Sequence, residues 1–150
     1  MNPLSLFKVV YGTAATLVRD LTQHEAHTDE EAFNPVLRTR HYAEPPEVLW
    51  NVLSQLIMEK FSHWGLESRD SVRKTIHATR QTPTFRFTDD VRIEIQPNGV
   101  GSMVDAKSSS RVGIADFGQN RRNIVELFNY LDTELDTYRR FLRSGLSQGL

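Results

Sequence analysis

The sequence has no cysteine and only 2 tryptophans among its 150 residues. Without thiols the chain can form no disulfide, no zinc–thiolate site and no iron–sulfur cluster, and it has no cysteine nucleophile. The folded state must therefore rest on packing and hydrogen bonds. A chain without disulfides also fits the cytoplasm, where thiols are kept reduced.

Long apolar runs and excess charge are also absent. No run approaches the roughly 20 apolar residues of a membrane-spanning helix. The apolar stretch Leu4–Val18 is interrupted by Lys8 and has neither a basic segment before it nor a cleavage site after it, so we expect no secretory signal. The net charge of -1 gives no electrostatic reason to expect nucleic acid as a partner. We predict a soluble cytoplasmic protein, with peripheral membrane contact as the alternative.

The N-terminal segment carries one apolar stripe, formed by Leu4, Phe7, Tyr11, Ala14, Val18 and Leu21. The spacing predicts an amphipathic helix over 4–21. We expect this helix to pack on the domain, on a second copy of the chain or on another protein. Only Lys8 and Arg19 are basic on its polar side, which weighs against a membrane surface. We predict a solvated linker over 23–34, where His24 and His27 lack the further ligands of a metal site.

Periodicity predicts a helix and several strands in the middle of the chain. The helix runs from Pro46 to about Phe61, because proline suits a first helical turn, and Gly65 provides a stop. Alternation predicts strands over Val36–Tyr42, Glu67–Asp70, Arg73–Arg80, Phe85–Phe87, Val91–Gln96 and Ser102–Ser108.

The last two predicted strands form a hairpin around Pro97-Asn98-Gly99. Proline has no N–H group, so Pro97 cannot donate the hydrogen bond that closes a two-residue loop. We therefore predict a four-residue loop over Pro97–Val100. The register that satisfies both faces of the hairpin pairs Asp90 with Lys107, Arg92 with Asp105, and Ile93 with Val104.

The longest apolar stripe predicts a second helix over Gln119–Leu142. Its members are Ile124, Leu127, Phe128, Leu131, Leu135, Tyr138 and Leu142. The fold class is therefore α+β: an antiparallel sheet of about four strands with helices packed on one face, plus an N-terminal amphipathic helix. We divide the chain into the N-terminal helix and linker (1–35), a single domain (36–143) and a flexible tail (144–150).

The segment Ser108–Arg122 joins the last strand to this helix and allows two interpretations. In the architectural one, Asp116 caps the helix, the glycines permit tight turns, and Arg111 pairs with Asp116, Asp89 or Asp90. In the functional one, free backbone N–H groups at the helix start and nearby arginines bind phosphate or carboxylate. The residues of this candidate anion site are Ser108, Ser110, Arg111, Gly113, Asp116, Gly118, Asn120 and Arg121.

The same segment resembles the closing signature of a bacterial and plastid family called domain of unknown function 1499. The resemblance rests on Ser110-Arg111-Val112-Gly113, Asp116-Phe117-Gly118 and Asn120-Arg121-Arg122, and upstream on Tyr42, Pro46, Trp50, Gly65 and Asp89-Asp90. It covers roughly residues 40–135. Many members carry a cysteine-containing segment behind a membrane or lipoprotein signal, and this chain has neither. The resemblance therefore implies a shared fold but neither a reaction nor a membrane location.

Catalytic signals are weak. Asp89 and Asp90 form the candidate acid–base pair, but neighbours on a strand point to opposite faces. His77 is a lone histidine on the polar face of a strand, and the sequence contains no nucleophile elbow, zinc-protease motif or dinucleotide fingerprint. We expect no metal and no cofactor.

We predict a non-enzymatic binding or structural module that contacts a partner, or a small ligand held between the helices and the sheet. The aromatic residues that support this prediction, or else fill the core, are Trp50, Trp64, Phe85, Phe87 and Phe117. The alternative is a small-anion binding protein, or a small-molecule enzyme, that uses the 108–122 segment.

Overall fold

The structure, a computed structural model, describes residues 24–83, 85–112 and 118–147. The predicted N-terminal helix, Gly113, Asp116 and Phe117 lie outside this range. The elements, in chain order, are β1 (Glu25–His27), a 3₁₀ turn (Pro35–Leu37), β2 (Arg40–Tyr42), α1 (Pro46–Glu59), β3 (Trp64–Asp70), β4 (Thr75–Gln81), β5 (Thr88–Asn98), β6 (Gly101–Ser110) and α2 (Gln119–Ser147).

The six strands form one antiparallel sheet in the order β1–β6–β5–β4–β3. Strand β2 also pairs with β6, so β1 and β2 follow one another along the edge of β6 that β5 leaves open. Both helices pack on one face of the sheet. This confirms the α+β class and the one-sided helical layer, but the described residues form six strands where about four were predicted.

Alternation along the central strands decides which side chains enter the core. Ile76 and Ala78 of β4, and Val104 and Ala106 of β6, are buried against the helices, whereas their sequence neighbours face outward. The core positions contributed by the helices are Leu49, Leu53, Leu56 and Ile57 of α1, and Ile124, Leu127, Phe128, Leu131 and Leu135 of α2. The predicted core stripes of both helices are confirmed over these residues.

Strand β1 was missed because its polar composition indicated a solvated linker. Of the three residues of β1 only Ala26 is buried, and a single buried position is too short a pattern to predict a strand. The first part of the predicted strand Val36–Tyr42 instead forms a 3₁₀ turn, because the Asn34 side chain accepts a hydrogen bond from the Val36 amide at 3.2 Å. Only Arg40–Tyr42 pairs as a strand.

Helix α1 ends at Glu59, and the prediction that Gly65 stops it was wrong. The Lys60 amide still bonds to Leu56, and the chain then turns at His63, which has a φ of 69°. Gly65 already belongs to β3. A side chain there would press on the Thr79 hydroxyl, 3.0 Å from a β-carbon.

Residues 85–87 do not form a strand. Arg86 has a φ of 53°, and its amide bonds to the Thr82 carbonyl, so the chain loops back on itself. Phe85 is 72% exposed and stacks on Phe87, with their ring centroids 5.6 Å apart.

The β5–β6 hairpin is displaced by two residues from its predicted register. Asn98 lies opposite Gly101, so the loop is Gly99–Val100. In this register Pro97 falls on the pair next to the closing one, where an antiparallel ladder needs no N–H group. Gly99 adopts the positive φ (61°) that the first position of such a loop favours. A displacement by two keeps every side chain on its face, so hydrophobic patterning could not detect it.

The new register puts like charges opposite each other, and the predicted cross-strand ion pairs were therefore wrong. Arg92 faces Lys107, and Glu94 faces Asp105. The edge strands compensate, because Glu25 of β1 pairs with Lys107 at 2.8 Å. The Asp105 carboxylate accepts hydrogen bonds from the buried hydroxyls of Thr28 (2.8 Å) and Thr39 (2.6 Å).

Helix α2 extends to Ser147, past the predicted end at Leu142 and into the predicted tail. Its buried stripe stops at Leu135, since Leu142 is 45% exposed. The last turns of α2 are thus helical without being covered by the described part of the domain.

We expect Gly101→Ala to lower the free energy of unfolding by about 1–3 kcal/mol, the usual cost of overpacking. A methyl group there would overlap the backbone carbonyl of Tyr42 on β2. Gly145→Ala is the control, because nothing lies within 4 Å of its added carbon, and removing a helical glycine stabilises by up to about 1 kcal/mol. Urea denaturation of both variants measures the difference, and unchanged stability of Gly101→Ala would contradict the close approach of β2 to β6.

Candidate functional site

A polar network lies at the buried junction of β5, β6 and the first turns of α2. Strand alternation turns Ser108 and Ser110 towards α2, in line with Val104 and Ala106, and turns Asp89 the same way. Helix α2 brings in Asn120 and Asn123, whose neighbour Ile124 belongs to the core. The hydrogen bonds are Ser108 Oγ to Asn120 Oδ1 (2.6 Å), Ser110 Oγ to Asp89 Oδ1 (2.9 Å), Asn123 Nδ2 to Asp89 Oδ2 (2.8 Å) and to Ser108 Oγ (3.1 Å), and Asn120 Nδ2 to the His24 carbonyl (2.8 Å).

The network is closed to solvent. The exposed fractions are 0% for Ser108 and Asn123 and 1% for Asp89 and Asn120. A carboxylate in such a place needs donors on both oxygens, and Ser110 and Asn123 supply them. The network therefore binds β1, β5, β6 and α2 together through side chains that satisfy one another.

Arg111 lies on the other face of the sheet. Its guanidinium donates two hydrogen bonds to Asp90, from Nε to Oδ2 at 2.9 Å and from Nη2 to Oδ1 at 2.8 Å. His77 Nε2 lies 3.0 Å from the same Oδ1. The hydrogen bonds from Arg111 hold the pKa of Asp90 below its ordinary value. Asp90 is thus paired with Arg111 and His77, and the predicted Lys107 pairing was wrong.

The predicted anion site is divided between different places. Ser108, Ser110 and Asn120 belong to the buried network, whereas Arg111 faces outward. Gly118 precedes α2 with a φ of 82°, and Arg121 lies half-buried in the first turn. Gly113 and Asp116 are outside the described residues. Asp89 and Asp90 point to opposite faces, as predicted.

A row of paired residues crosses the buried face next to the network. Trp64 of β3 lies opposite Arg80 of β4, Arg80 lies opposite Asp89 of β5, and Asp89 lies opposite Ser110 of β6. Arg80 Nε donates to Glu126 Oε2 of α2 at 2.9 Å. Trp64 and Arg80 lie on different strands, so local patterning does not connect them, and Asn123 is not among the predicted site residues. A polar residue within the apolar stripe of α2 was the signal available for Asn123.

Two donors in this row lack an acceptor. Within the described part of the chain, the buried side-chain atoms without a hydrogen-bond partner are Arg40 Nε, Trp50 Nε1, Trp64 Nε1 and Arg80 Nη1. Arg40 lies over the Phe128 ring, and the Trp50 ring is flanked by two cations. Among these four residues, Trp64 and Arg80 are the two that lie directly opposite each other on neighbouring strands.

Aromatic side chains border this pair. The Phe61 ring lies 5.0 Å from Trp64 and 4.8 Å from Tyr130, measured between ring centroids. Tyr130 stands one turn after Glu126 on α2. The pair therefore lies between the sheet and the middle of α2. No group of three or more His, Asp or Glu that could hold a metal ion occurs among the residues described.

Together these features define a class, an α+β protein in which two helices cover one face of an antiparallel six-stranded sheet and a buried polar network anchors the longer helix. The chain belongs to a protein family of unknown function, DUF1499, whose family model matches residues 16–131. The resemblance noted in the sequence is thereby confirmed. No curated protein matches the chain significantly.

Three solved structures are similar to parts of the chain. Protein MLL2253 from Mesorhizobium loti is 16% identical, with a TM-score of 0.51 over 75% of this chain and 97% of that one. TTHA0849 from Thermus thermophilus is 12% identical, with a TM-score of 0.43 over 76% of this chain and 98% of that one. CalU16 from Micromonospora echinospora is 10% identical, with a TM-score of 0.36 over 75% of this chain and 88% of that one. The similarity to MLL2253 shows a common fold. At 16% identity it shows nothing about activity.

We expect Asn123→Ala to lower the free energy of unfolding by about 2–3 kcal/mol, because it leaves a buried carboxylate oxygen without its donor. Asn129→Ala is the matched control, since Asn129 is exposed on the same helix and such changes stay within about 0.5 kcal/mol. Urea denaturation at neutral pH compares them, and equal stabilities would show that the network does not anchor α2.

The Asp90–Arg111 pair should make stability depend on pH. Because the folded pKa of Asp90 lies below its unfolded value, the pair stabilises above the unfolded pKa of about 3.9, and this stabilisation disappears as the pH falls through the lower folded value. Arg111→Gln should therefore be less stable than wild type at pH 7, and the two should converge in acid. Arg38→Gln is the control, because the described bond of Arg38 goes to a backbone carbonyl. A difference that stays constant with pH would contradict the pairing.

Proposed function

We propose that this protein is a non-enzymatic binding module that holds a small molecule between its sheet and α2. The ligand presents an acceptor oxygen to Trp64 Nε1 and Arg80 Nη1. The observation that carries the proposal is the pair of buried donors without acceptors. A buried donor without a partner costs about 1–3 kcal/mol, so two of them on neighbouring strands favour a further acceptor that would recover this cost.

The pairing of the two strands supports a shared acceptor. Residues directly opposite each other in an antiparallel ladder have β-carbons about 4.5–5.5 Å apart. Trp64 and Arg80 are such a pair, and both are turned towards the helices. One oxygen atom, or the two oxygens of a carboxylate, can accept from both side chains at once.

The charges select the kind of ligand. Glu126 already accepts from Arg80 Nε, so the guanidinium charge is largely matched. Asp89, opposite Arg80, adds a further carboxylate to the neighbourhood. A neutral carbonyl or a singly charged carboxylate suits this balance, whereas a doubly charged phosphate is repelled. The rings of Phe61, Trp64 and Tyr130 provide contacts for an apolar body.

The side chains that carried the catalytic hypotheses are engaged in structural bonds. Asp89 receives donors on both oxygens inside the network, and Asp90 is bound by Arg111 and His77. These contacts favour a binding role over an acid–base role. We also retain the proposal that the stripe over 4–21 contacts a protein partner or a second copy.

Small-anion binding by the 108–122 segment is the alternative. Arg111 is one of its cations, and Asp90 already matches that charge with two hydrogen bonds. Ser108 and Asn120 are hydrogen-bonded to each other within the buried network. The observations therefore favour the Trp64–Arg80 pair as the ligand site.

The chain allows a direct test because it contains only 2 tryptophans. Trp50→Phe leaves Trp64 as the sole tryptophan, and its emission, excited selectively at the red edge of the absorption band, reports on a ligand at its indole N–H. We expect octanoate or octanamide to change this emission and to raise the thermal midpoint. A ligand at 100 times its Kd stabilises by about 2.7 kcal/mol.

Two conservative variants separate the site from general stability. Trp64→Phe removes the indole N–H and keeps an aromatic ring, and Arg80→Lys removes Nη1 while keeping a positive charge near Glu126. Both should lose the ligand-induced rise in thermal midpoint that Trp50→Phe retains. A rise of equal size in all three variants, or none in wild type, would refute the proposal. A rise with inorganic phosphate that only Arg111→Gln abolishes would instead support the anion site.

A further inference from the structure

We propose that the C-terminal end of α2, residues 139–147, docks on the surface of an anionic phospholipid bilayer. This inference is independent of the proposed ligand site, which lies between the sheet and the first half of α2. It rests on the exposure, the angular arrangement and the charge of these residues.

The end of α2 projects beyond the core. The helix is last buried at Leu135, and Arg139 then pairs with Glu44 through bonds of 2.5 and 2.9 Å. From Arg140 to Leu146 every residue is exposed. These last turns contribute little to the core, so core packing does not constrain which residues occur there.

Large apolar side chains occupy this projecting end. Phe141 is 72% exposed, Leu142 45% and Leu146 76%. Single exposed apolar residues are ordinary, but three within two helical turns form a continuous patch. At about 100° per residue, they fall with Tyr138 and Gly145 inside an arc of about 140°. The helix end is therefore amphipathic.

The opposite arc is cationic. Arg139, Arg140 and Arg143 lie there, and no acidic residue follows Asp136 in the sequence. Arg139 is paired with Glu44, but Arg140 Nε donates to a backbone carbonyl, which leaves its charge unmatched by that bond. An apolar arc flanked by arginines is typical of helices that lie in the headgroup layer of anionic membranes.

Charge and size favour a bilayer over a second copy of the chain. A stable interface between proteins takes roughly 20–30 residues a side, and the patch offers three large side chains. Self-association would also bring the arginines of two copies near each other, whereas anionic headgroups attract them. Neither described helix is long and apolar enough to cross a membrane, so the proposed contact is peripheral.

The test is co-sedimentation of the full chain with vesicles. Vesicles of equal parts phosphatidylcholine and phosphatidylglycerol should retain the protein, and pure phosphatidylcholine vesicles should retain at least tenfold less. High salt should release it, because exposed charges are screened. Equal retention on both vesicles, or none on either, would overturn the proposal.

Matched double variants locate the contact. Phe141→Ser with Leu146→Ser should weaken partitioning at least tenfold, whereas Val72→Ser with Val100→Ser, which are 91% and 93% exposed, should not. Arg140→Glu with Arg143→Glu should weaken it similarly, and Arg73→Glu with Arg92→Glu should not. The proposal fails if test and control pairs behave alike.

Two further outcomes would place the membrane contact on the N-terminal stripe or give the C-terminal patch a role in self-association. Tyr11→Asp with Val18→Asp breaks the N-terminal stripe, and loss of binding in this pair alone would place the membrane contact there. Light scattering after size exclusion measures the oligomeric state of the Phe141 and Leu146 double variant. A wild-type dimer that this variant makes monomeric, without vesicle binding, would assign the patch to self-association.

Discussion

The buried carboxylate of Asp89 sets the position of the long helix. A charge in the interior is tolerated only when its oxygens receive donors, and Asn123 must stand close to provide one of them. The start of α2 is thereby fixed against β5 and β6. Arg139 fixes a second point by its bidentate bond to Glu44. Between these two anchors the helix lies along the sheet, and whatever follows the second anchor projects from it.

The two anchors divide α2 into parts with different surroundings. Near the first anchor, the buried side chains of Ser108, Asn120 and Asn123 hydrogen-bond to one another. One position further along the same cross-strand row, Arg80 and Trp64 retain donors that no described side chain uses. A fold that satisfies almost every buried polar group makes such exceptions informative. The Asp89 network, whose polar groups are paired, therefore has a structural role. The Trp64–Arg80 pair, whose donors lack acceptors, is the candidate site.

The edge of β6 shows how tertiary contacts stabilise an arrangement that local pairing disfavours. Like charges face each other in the β5–β6 hairpin, which alone is unfavourable. Glu25 pairs with Lys107, while Thr28 and Thr39 donate to Asp105. Glu25 of β1 and the threonines that flank β1 and β2 thus satisfy the charges of Lys107 and Asp105. Neither the register nor these strands can be derived from the hairpin by itself.

The sequence by itself determined the fold class, the one-sided packing and the start of both described helices, because periodicity, proline and apolar stripes are local signals. It also indicated that Asp89 and Asp90 separate, since strand neighbours must point apart. Only the tertiary structure decided the hairpin register, strand β1, the pairing of both short strands with β6, and the hydrogen bond between Asp89 and Asn123. Shifting a register by two residues preserves every face, and contacts between distant residues leave no trace in local patterning. Which polar groups satisfy one another, and which are left over, is therefore a property of the packed sheet and helix.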